Sequence, residues 1–438
     1  MEVTGRIEEE EEMANISRPA RYKFSTDELM ELIDLFRVST ETQAKIREML
    51  DSEPPPHADP LFRYYNDRSK VAELEKTFAE KLGAKYALAV NSGTSALIAA
   101  LVAAGIGPGD EVIVPAYTFF ASVSAIVVAK GIPVITEIDE SLTLDPQAVG
   151  ENITPRTKAI MPVHMQGYPA DMEAICDIAK RHNLYVIEDV AQACGGKYKG
   201  RYLGTWGTLG CTSFDAYKVI ASGEGGMITT DDEWLYIRAQ SYHDTAACWR
   251  PDRYARARKP GELFCGENYR MSEMSAAVAL AQLRKIDWIN QSTRKIYHQL
   301  RDEIGLPTCA RWIEPNDPEG VCGYSAAILF DTVELAYKAI KADIGLGGLA
   351  GGGTKGARDW HVYWYWEHVL EQKTATPEGC PFKCPHVKEL PKYSEDMCPR
   401  TKDIMLRTAF LHLEPTDTPQ WATHYAKEFT ANLRKAIG

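Results

Sequence analysis

The sequence predicts an α/β protein with a mostly parallel central sheet covered by helices, followed by a smaller C-terminal α+β domain. Two observations support this prediction. Between about residues 70 and 230, short apolar runs alternate with helical patterns, which is typical of strands buried on both faces of a sheet. Beyond Ile286, a long helical pattern leads into a mixed region that contains glycine-rich and aromatic-rich stretches.

The elements follow from apolar spacing and capping signals. Ser25 and Glu28 form a capping-box pattern that predicts a helix to about Met49, before three prolines at 54–56. Strands are expected at 86–90, 111–114, 134–138, 158–163, 184–188, 211–214 and 226–230. Helices are expected at 71–82, 94–104, 119–130, 171–182 and 288–304. The predicted division is a mobile tail at 1–20, an N-terminal helix and linker at 21–60, a large domain at 61–286 and a small domain at 287–438.

Composition excludes several classes of protein. The 438 residues include 49 Lys and Arg against 61 Asp and Glu, a formal net charge of −12, so no nucleic-acid partner is expected. The acidic run from Glu8 to Glu12 and the interrupted apolar stretches predict neither a signal peptide nor a membrane span. Ten scattered cysteines indicate reduced thiols, and we therefore expect a cytoplasmic protein.

Polar residues follow the first predicted strand. The segment from Asn91 to Ser95 lies between an apolar strand and an alanine-rich helix, and Gly93 would permit a close approach to the backbone. Thr94 and Ser95 offer hydroxyls beside the positive end of the helix, so this segment suits a phosphate group. Ordinary helix capping is the alternative, and the segment alone does not decide between the two.

Two further strand ends carry reactive groups. The apolar strand that ends at Glu188 and Asp189 places a carboxylate where it needs a cationic or hydrogen-bonding partner, although a helix cap is an alternative. Gln192 follows within one turn. Ser213 ends a third strand, and Lys218 lies in the turn before a glycine-rich loop. Most lysines are solvated surface residues, but one held in a dry pocket becomes an amine nucleophile.

The combination of these strand ends predicts a cofactor. The carboxyl ends of parallel strands meet at one edge of a sheet, so the phosphate site, the carboxylate and the lysine should lie together. A phosphate cradle, a carboxylate that keeps a pyridine nitrogen protonated and a lysine that holds an aldehyde match pyridoxal 5'-phosphate.

These motifs identify a family resemblance. The chain resembles the DegT/StrS-type sugar aminotransferases, a branch of the fold-type I pyridoxal phosphate enzymes. The resemblance spans about residues 62–286 and continues more weakly beyond. Its motifs in chain order are Ser92-Gly93-Thr94, Gly109 to Ile113, Pro115 to Phe119, Pro162-Val163-His164, Glu188 to Ala193, Ser213 to Gly226 and Asn268 to Ser272.

The resemblance implies a role for each matched residue. Lys218 would form the Schiff base, Asp189 would pair with the ring nitrogen, and Gln192 would bind the ring hydroxyl. Phe119 would stack on the ring. The phosphate would be bound by Gly93, Thr94, Ser95 and Ser213, and by Asn268 of a second copy. A homodimer with shared active sites is therefore expected.

The resemblance also implies the reaction. Glutamate or glutamine would give its amino group to the cofactor, and a keto or aldehyde sugar, sugar acid or cyclic ketone would then receive it in a second, ping-pong step. Relatives with histidine at the lysine position are sugar dehydratases, so Lys218 favours transamination. The alternatives are a sugar dehydratase or deoxygenase with the same cofactor, and a regulatory protein that binds the cofactor without turnover.

Several residues remain open. His164 matches the family's histidine and would contact substrate or ring oxygen, or serve only the fold. Arg250 begins a basic cluster that would bind an anionic acceptor or lie solvated on a loop; its other members are Arg253, Arg256, Arg258 and Lys259. Cysteines 380, 384 and 398 do not have the spacing of a standard zinc finger, so no metal is expected. The aromatic run from Trp360 to Trp366 is expected in the core or at a dimer contact.

Overall fold

A computed structural model describes residues 25–52, 68–245, 256–351, 358–385, 387 and 389–438. The chain divides into two compact units, Met1–Ser69 and Lys70–Gly438, and each is described by itself. The predicted tail at 1–20 lies outside the described residues, and the predicted domain boundaries remain predictions.

The described part of the first unit contains two helices, α1 (Thr26–Asp34) and α2 (Thr40–Asp51). The predicted capping box at Ser25 is confirmed, because its side chain accepts a hydrogen bond from the helix and Glu28 bonds back to the Ser25 amide. The prediction of one helix to Met49 is wrong. Arg37 adopts a positive φ of 52°, and Ser39 caps a new helix by accepting from the Thr42 amide at 3.2 Å.

The second unit contains the remaining elements, numbered here in chain order. Its α-helices are α3 (Lys70–Leu82), α4 (Gly93–Ala103), α5 (Ala121–Val128), α6 (Pro146–Asn152), α7 (Met172–His182), α8 (Glu233–His243), α9 (Glu273–Leu283), α10 (Ile286–Glu303), α11 (Val333–Lys341), α12 (Glu367–Leu370), α13 (Pro399–Arg407) and α14 (Pro419–Ile437). Its strands are β1 (Tyr86–Val90), β2 (Glu111–Pro115), β3 (Ile132–Thr136), β4 (Thr157–Ile160), β5 (Tyr185–Asp189), β6 (Lys197–Tyr198), β7 (Arg201–Tyr202), β8 (Leu209–Ser213), β9 (Gly226–Thr230), β10 (Ala310–Trp312), β11 (Ser325–Phe330) and β12 (Thr408–His412).

Seven strands form the central sheet in the order β1-β9-β8-β5-β4-β2-β3. The five strands from β8 to β3 pair in parallel, whereas β9 runs antiparallel to both β8 and β1. Buried apolar side chains fill both faces, with α4 and α5 packed on one and α7 on the other. The predicted mostly parallel sheet covered by helices is confirmed.

The C-terminal part adds a three-stranded antiparallel sheet in the order β10-β11-β12. Its core includes apolar residues of α10, α11 and α14, together with Tyr117, Val163 and Tyr168 from the central sheet's loops. The two sheets therefore share buried contacts beside the carboxyl ends of the parallel strands. In the part of the chain that the structure describes, no helix combines the length and the apolar character needed to cross a membrane.

Candidate active site

The predicted strand ends meet at one cavity of about 540 Å³ at the carboxyl edge of the parallel strands. The sequence placed its residues on separate strand ends, and the sheet order brings them to one edge. Seven predicted site residues line this cavity: Gly93, Thr94, Phe119, Asp189, Gln192, Ser213 and Lys218. We call it the ring cavity.

The first turn of α4 forms one wall of the ring cavity. Ser92 caps this helix by accepting a hydrogen bond from the Ser95 amide at 3.0 Å, so the amides of Gly93 and Thr94 stand at the open end. A Cβ on Gly93 would lie 2.6 Å from Cβ of Ser213, and one on Gly226 would lie 2.4 Å from the Ser92 carbonyl oxygen. A larger residue at either glycine would therefore close the space between Gly93, Thr94 and Ser213, which we call the phosphate cradle. The backbone amides and hydroxyls of this cradle suit an anion.

Asp189 lies buried at the end of β5. Its Oδ2 accepts from the Ser122 hydroxyl at 2.7 Å, and its Oδ1 accepts from the Ala191 amide at 3.0 Å. Burial raises the pKa of Asp189, while these two bonds and the charge of Lys218 act in the opposite direction. A cation placed against this carboxylate would compensate the cost of burying its charge.

Lys218 lies half-buried in a turn after β8, where its backbone amide donates to the Asp215 carbonyl at 3.0 Å. Its side chain lines the ring cavity and its charge acts on the pKa of Asp189. The neighbouring Tyr217 is 95% exposed. The lysine amine therefore faces the same cavity as the phosphate cradle and the buried carboxylate.

The orientation of the Gln192 amide is fixed by its neighbours. Its Oε1 accepts from the backbone amide of Gln166 at 3.0 Å, and its backbone carbonyl accepts from Tyr324 Oη at 3.0 Å. Gln166 adopts a positive φ of 56° and donates its own side-chain amide to Tyr117 Oη. Because Oε1 is occupied, the Gln192 NH₂ group remains to donate to an oxygen in the cavity.

Phe119 is partly exposed and lines the ring cavity. The hydroxyl of Ser95, in contrast, donates to Asn91 Oδ1 at 2.6 Å, and Ser95 does not line that cavity. Asn268 lies on the exposed surface outside the ring cavity, next to Asn91. Arg250 and Arg253 fall outside the described residues, while Arg258 pairs with Glu262 at 2.9 Å.

His164 is fully buried between two partners. Its Nδ1 accepts from the Ala170 amide at 3.1 Å, so its Nε2 carries the proton and donates to Glu188 Oε2 at 3.2 Å. Glu188 also accepts from the amides of Gly204 and Gly207. This geometry favours a role of His164 in the fold, because neither ring nitrogen is left for a substrate.

Sequence reasoning missed His361. The aromatic segment that contains it pairs with the loop after β2: the Thr118 amide donates to the His361 carbonyl at 2.9 Å, and the Phe120 amide donates to the Trp360 carbonyl at 3.0 Å. The His361 ring lies 5.3 Å from the Phe119 ring, centroid to centroid. It lines the ring cavity and a neighbouring cavity of about 470 Å³, which also share Gln192, Tyr217 and Lys218. Its only sequence signal was a histidine within a run of core-like aromatic residues.

Residues 63–327 match the sequence profile of the DegT/DnrJ/EryC1/StrS aminotransferase family. The chain belongs to this family. Membership confirms the predicted resemblance, and the predicted cofactor, pyridoxal phosphate, is confirmed with it.

Individual relatives match half of this chain or more. GDP-perosamine synthase of Caulobacter vibrioides is 44% identical over 223 residues, which cover 50% of the chain and 57% of the relative. GDP-perosamine synthase of Escherichia coli O157:H7 is 42% identical over 52% of the chain and 60% of the relative. The chain thus matches little more than half the length of these curated relatives. The solved aminotransferase from Psychrobacter cryohalolentis is 26% identical with a TM-score of 0.70, covering 92% of this chain and 98% of that one.

The described residues fit pyridoxal phosphate. The cradle at Gly93 and Ser213, which a Cβ would fill, has the open amides that a phosphate group needs. Asp189 is a buried carboxylate that a protonated ring nitrogen would satisfy, and Gln192 presents an NH₂ group to a ring oxygen. These three features surround the cavity that Lys218 lines.

Proposed function

We propose that the protein is a pyridoxal phosphate-dependent aminotransferase that moves an amino group from glutamate or glutamine to a keto sugar. The observation that carries this proposal is the convergence of Lys218, buried Asp189 and the Gly93 cradle on one cavity. Lysine at position 218 further supports amino transfer over dehydration.

The protein's residues would bind and orient the cofactor and would deprotonate the amino donor. When bound, pyridoxal phosphate supplies an electron sink and carries the amino group between donor and acceptor. Thr94, Ser213 and the α4 amides would hold its phosphate. Asp189 would keep its ring nitrogen protonated and Phe119 would cover its ring. Lys218 Nζ would remove the proton from the donor's α-carbon and pass it to the carbon of the cofactor that carried the aldehyde.

The names of the relatives support the acceptor class. Two curated relatives above 40% identity are GDP-perosamine synthases, which favours a nucleotide-linked keto sugar as acceptor. The neighbouring cavity of about 470 Å³ opens from Lys218 toward β12 and would receive the sugar. Its lining comes largely from the region beyond residue 286, which shapes the acceptor choice.

A second copy of the chain would complete the site. Tyr217 is 95% exposed although it is adjacent to Lys218, and Asn268 lies on the surface beside the loop of Asn91. A homodimer with shared active sites would cover this tyrosine and bring Asn268 to the partner's phosphate. A cytoplasmic location remains part of the same proposal, and the described cysteines are all free thiols.

Transfer of labelled nitrogen tests the proposal against the dehydratase alternative. The protein, loaded with pyridoxal phosphate, is incubated with ¹⁵N-glutamate and GDP-4-keto-6-deoxymannose, and the sugar product is examined by mass spectrometry. We expect one ¹⁵N atom in the sugar. Loss of water without incorporation of nitrogen would support a dehydratase, and no response to glutamate, glutamine or sugar would contradict both enzyme functions.

A further inference from the structure

The donor's carboxylate lacks an evident partner in the ring cavity and its neighbour. An amino acid donor carries an α-carboxylate that must leave water as it enters, so it needs a cation or several hydrogen-bond donors. Among the described residues of one copy that line the two cavities, only Lys218, His361 and His412 can carry a positive charge. Arg358 lines an adjoining cavity together with His361, but it pairs with Glu367 at 2.6 Å. Asp189, Asp215, Glu224 and Glu414 also line them, and these acidic side chains increase the need for a cation.

Two of the three basic residues are poor candidates. The Lys218 amine is required for the cofactor and for proton transfer, so it is not available as a fixed carboxylate partner. Desolvation lowers the pKa of His412, and the nearby Glu414 only partly offsets this effect, which favours the neutral ring. His412 also lines the neighbouring cavity but not the ring cavity.

The His361 ring is paired with a carboxylate through one of its two nitrogens. Its Nδ1 lies 2.8 Å from Asp359 Oδ1, and its backbone amide donates to the same oxygen at 2.9 Å. Burial raises the pKa of Asp359, but the bonds and charge of His361 outweigh this effect, and the net pKa is lowered. When both ring nitrogens carry protons, Nδ1 donates to Asp359 and Nε2 is left to donate to a second carboxylate.

The position of His361 suits the donor. Its ring packs against Phe119, the side chain that would cover the cofactor ring, and its backbone is fixed to the loop of Thr118. Its side chain lines both cavities together with Lys218. In the described part of the chain, Asp359 is the side chain that pairs with this ring, and the pairing occupies Nδ1 alone.

We propose that His361, oriented by Asp359, binds the α-carboxylate of the amino donor. This inference rests on the proposed function, because it assigns a ligand to the same site. Asp359 is then a positioning residue, because its contact with Nδ1 fixes the orientation of the His361 ring.

The test separates donor binding from the later chemical step. The cofactor-loaded wild type and His361→Ala are mixed with increasing L-glutamate, and in parallel with L-glutamine, while the cofactor's absorbance is followed in a stopped-flow instrument. We expect the Kd for the donor to rise about tenfold or more, because a hydrogen bond to a charged group is lost. The rate constant at saturating donor should change less than the Kd. Asp359→Asn should raise the Kd by a smaller factor.

His368→Ala is the matched control. His368 lies on the same segment and packs against Phe120, 4.1 Å between ring centroids, but lines neither of the two cavities. We expect it to leave the Kd for the donor nearly unchanged. An unchanged Kd in His361→Ala would overturn the inference and move the carboxylate partner elsewhere. Equal losses of cofactor affinity and donor affinity would also overturn it, since they would indicate a structural role.

The two proposals fail in different ways. A wild type whose cofactor absorbance does not respond to either amino acid would contradict the proposed function itself. A wild type that responds, with a His361→Ala variant that binds the donor equally well, would contradict only the role of His361.

Discussion

The two walls of the active site differ in how they are built. The wall formed by α4, β5 and β8 lies at the carboxyl ends of strands of one sheet, and each residue is fixed by a short local segment. The wall that contains His361 is an irregular segment, held by backbone hydrogen bonds to the loop of Thr118 and Phe120. This difference indicates that the first wall, which we propose binds the cofactor and call the cofactor wall, is fixed by the sheet. The wall proposed to bind donor and acceptor depends instead on contacts between distant segments.

Substitution of Asp189 should have the largest effect on the cofactor wall. Asp189→Asn keeps the shape and the bond from Ser122 but removes the charge that would face the ring nitrogen. We expect the half-reaction with L-glutamate to slow by about 100-fold or more. Single-turnover absorbance measures this rate, and Ser122→Ala, which keeps the carboxylate, serves as the milder comparison. An unchanged rate in Asp189→Asn would mean that another acid serves the ring nitrogen.

Adding one methyl group at Gly93 should weaken the binding of the cofactor's phosphate. In Gly93→Ala the new Cβ would lie 2.6 Å from Ser213 Cβ, so the cradle must widen or the phosphate must move. We expect the Kd for pyridoxal phosphate to rise about tenfold, the scale of an overpacked contact.

Gly150→Ala is the matched control for the cradle, because its added Cβ would meet nothing within 4 Å. Fluorescence titration of the cofactor-free protein measures both affinities. Equal affinities in the two variants would remove the cradle from phosphate binding.

Substitution of His164 should affect stability rather than donor binding. Removing its ring in His164→Ala leaves the buried Glu188 without one of its donors, so the free energy of unfolding should fall by about 1–3 kcal/mol. We expect little change in the Kd for the donor. Urea unfolding and the glutamate titration measure the two quantities. A loss of donor affinity at unchanged stability would instead support the substrate contact that the family resemblance implies.

The sequence predicted the cofactor wall because its signals are local. Apolar strands followed by Gly93, Asp189 and Ser213 predict both the element and the edge at which the residues meet, and Lys218 follows from the next turn. The sheet strands appear within a few residues of their predicted positions for the same reason.

Other features depend on contacts between distant segments. The break between α1 and α2 comes from a single positive φ at Arg37, which a helical apolar pattern does not reveal. The place of His361 depends on backbone pairing with a segment more than 200 residues earlier, at Thr118. The Gln166 amide, which orients Gln192, likewise depends on an unusual backbone conformation.

The attachment of the cofactor to Lys218 tests the central claim most directly. The purified protein is loaded with pyridoxal phosphate, reduced with borohydride, digested and examined by mass spectrometry, with and without prior addition of L-glutamate, beside Lys218→Ala. We expect the cofactor to be fixed on Lys218 in the wild type, to be released from it after glutamate, and to be absent from the peptides of Lys218→Ala. Attachment to another lysine, or protein without bound cofactor in the wild type, would contradict the proposed active site.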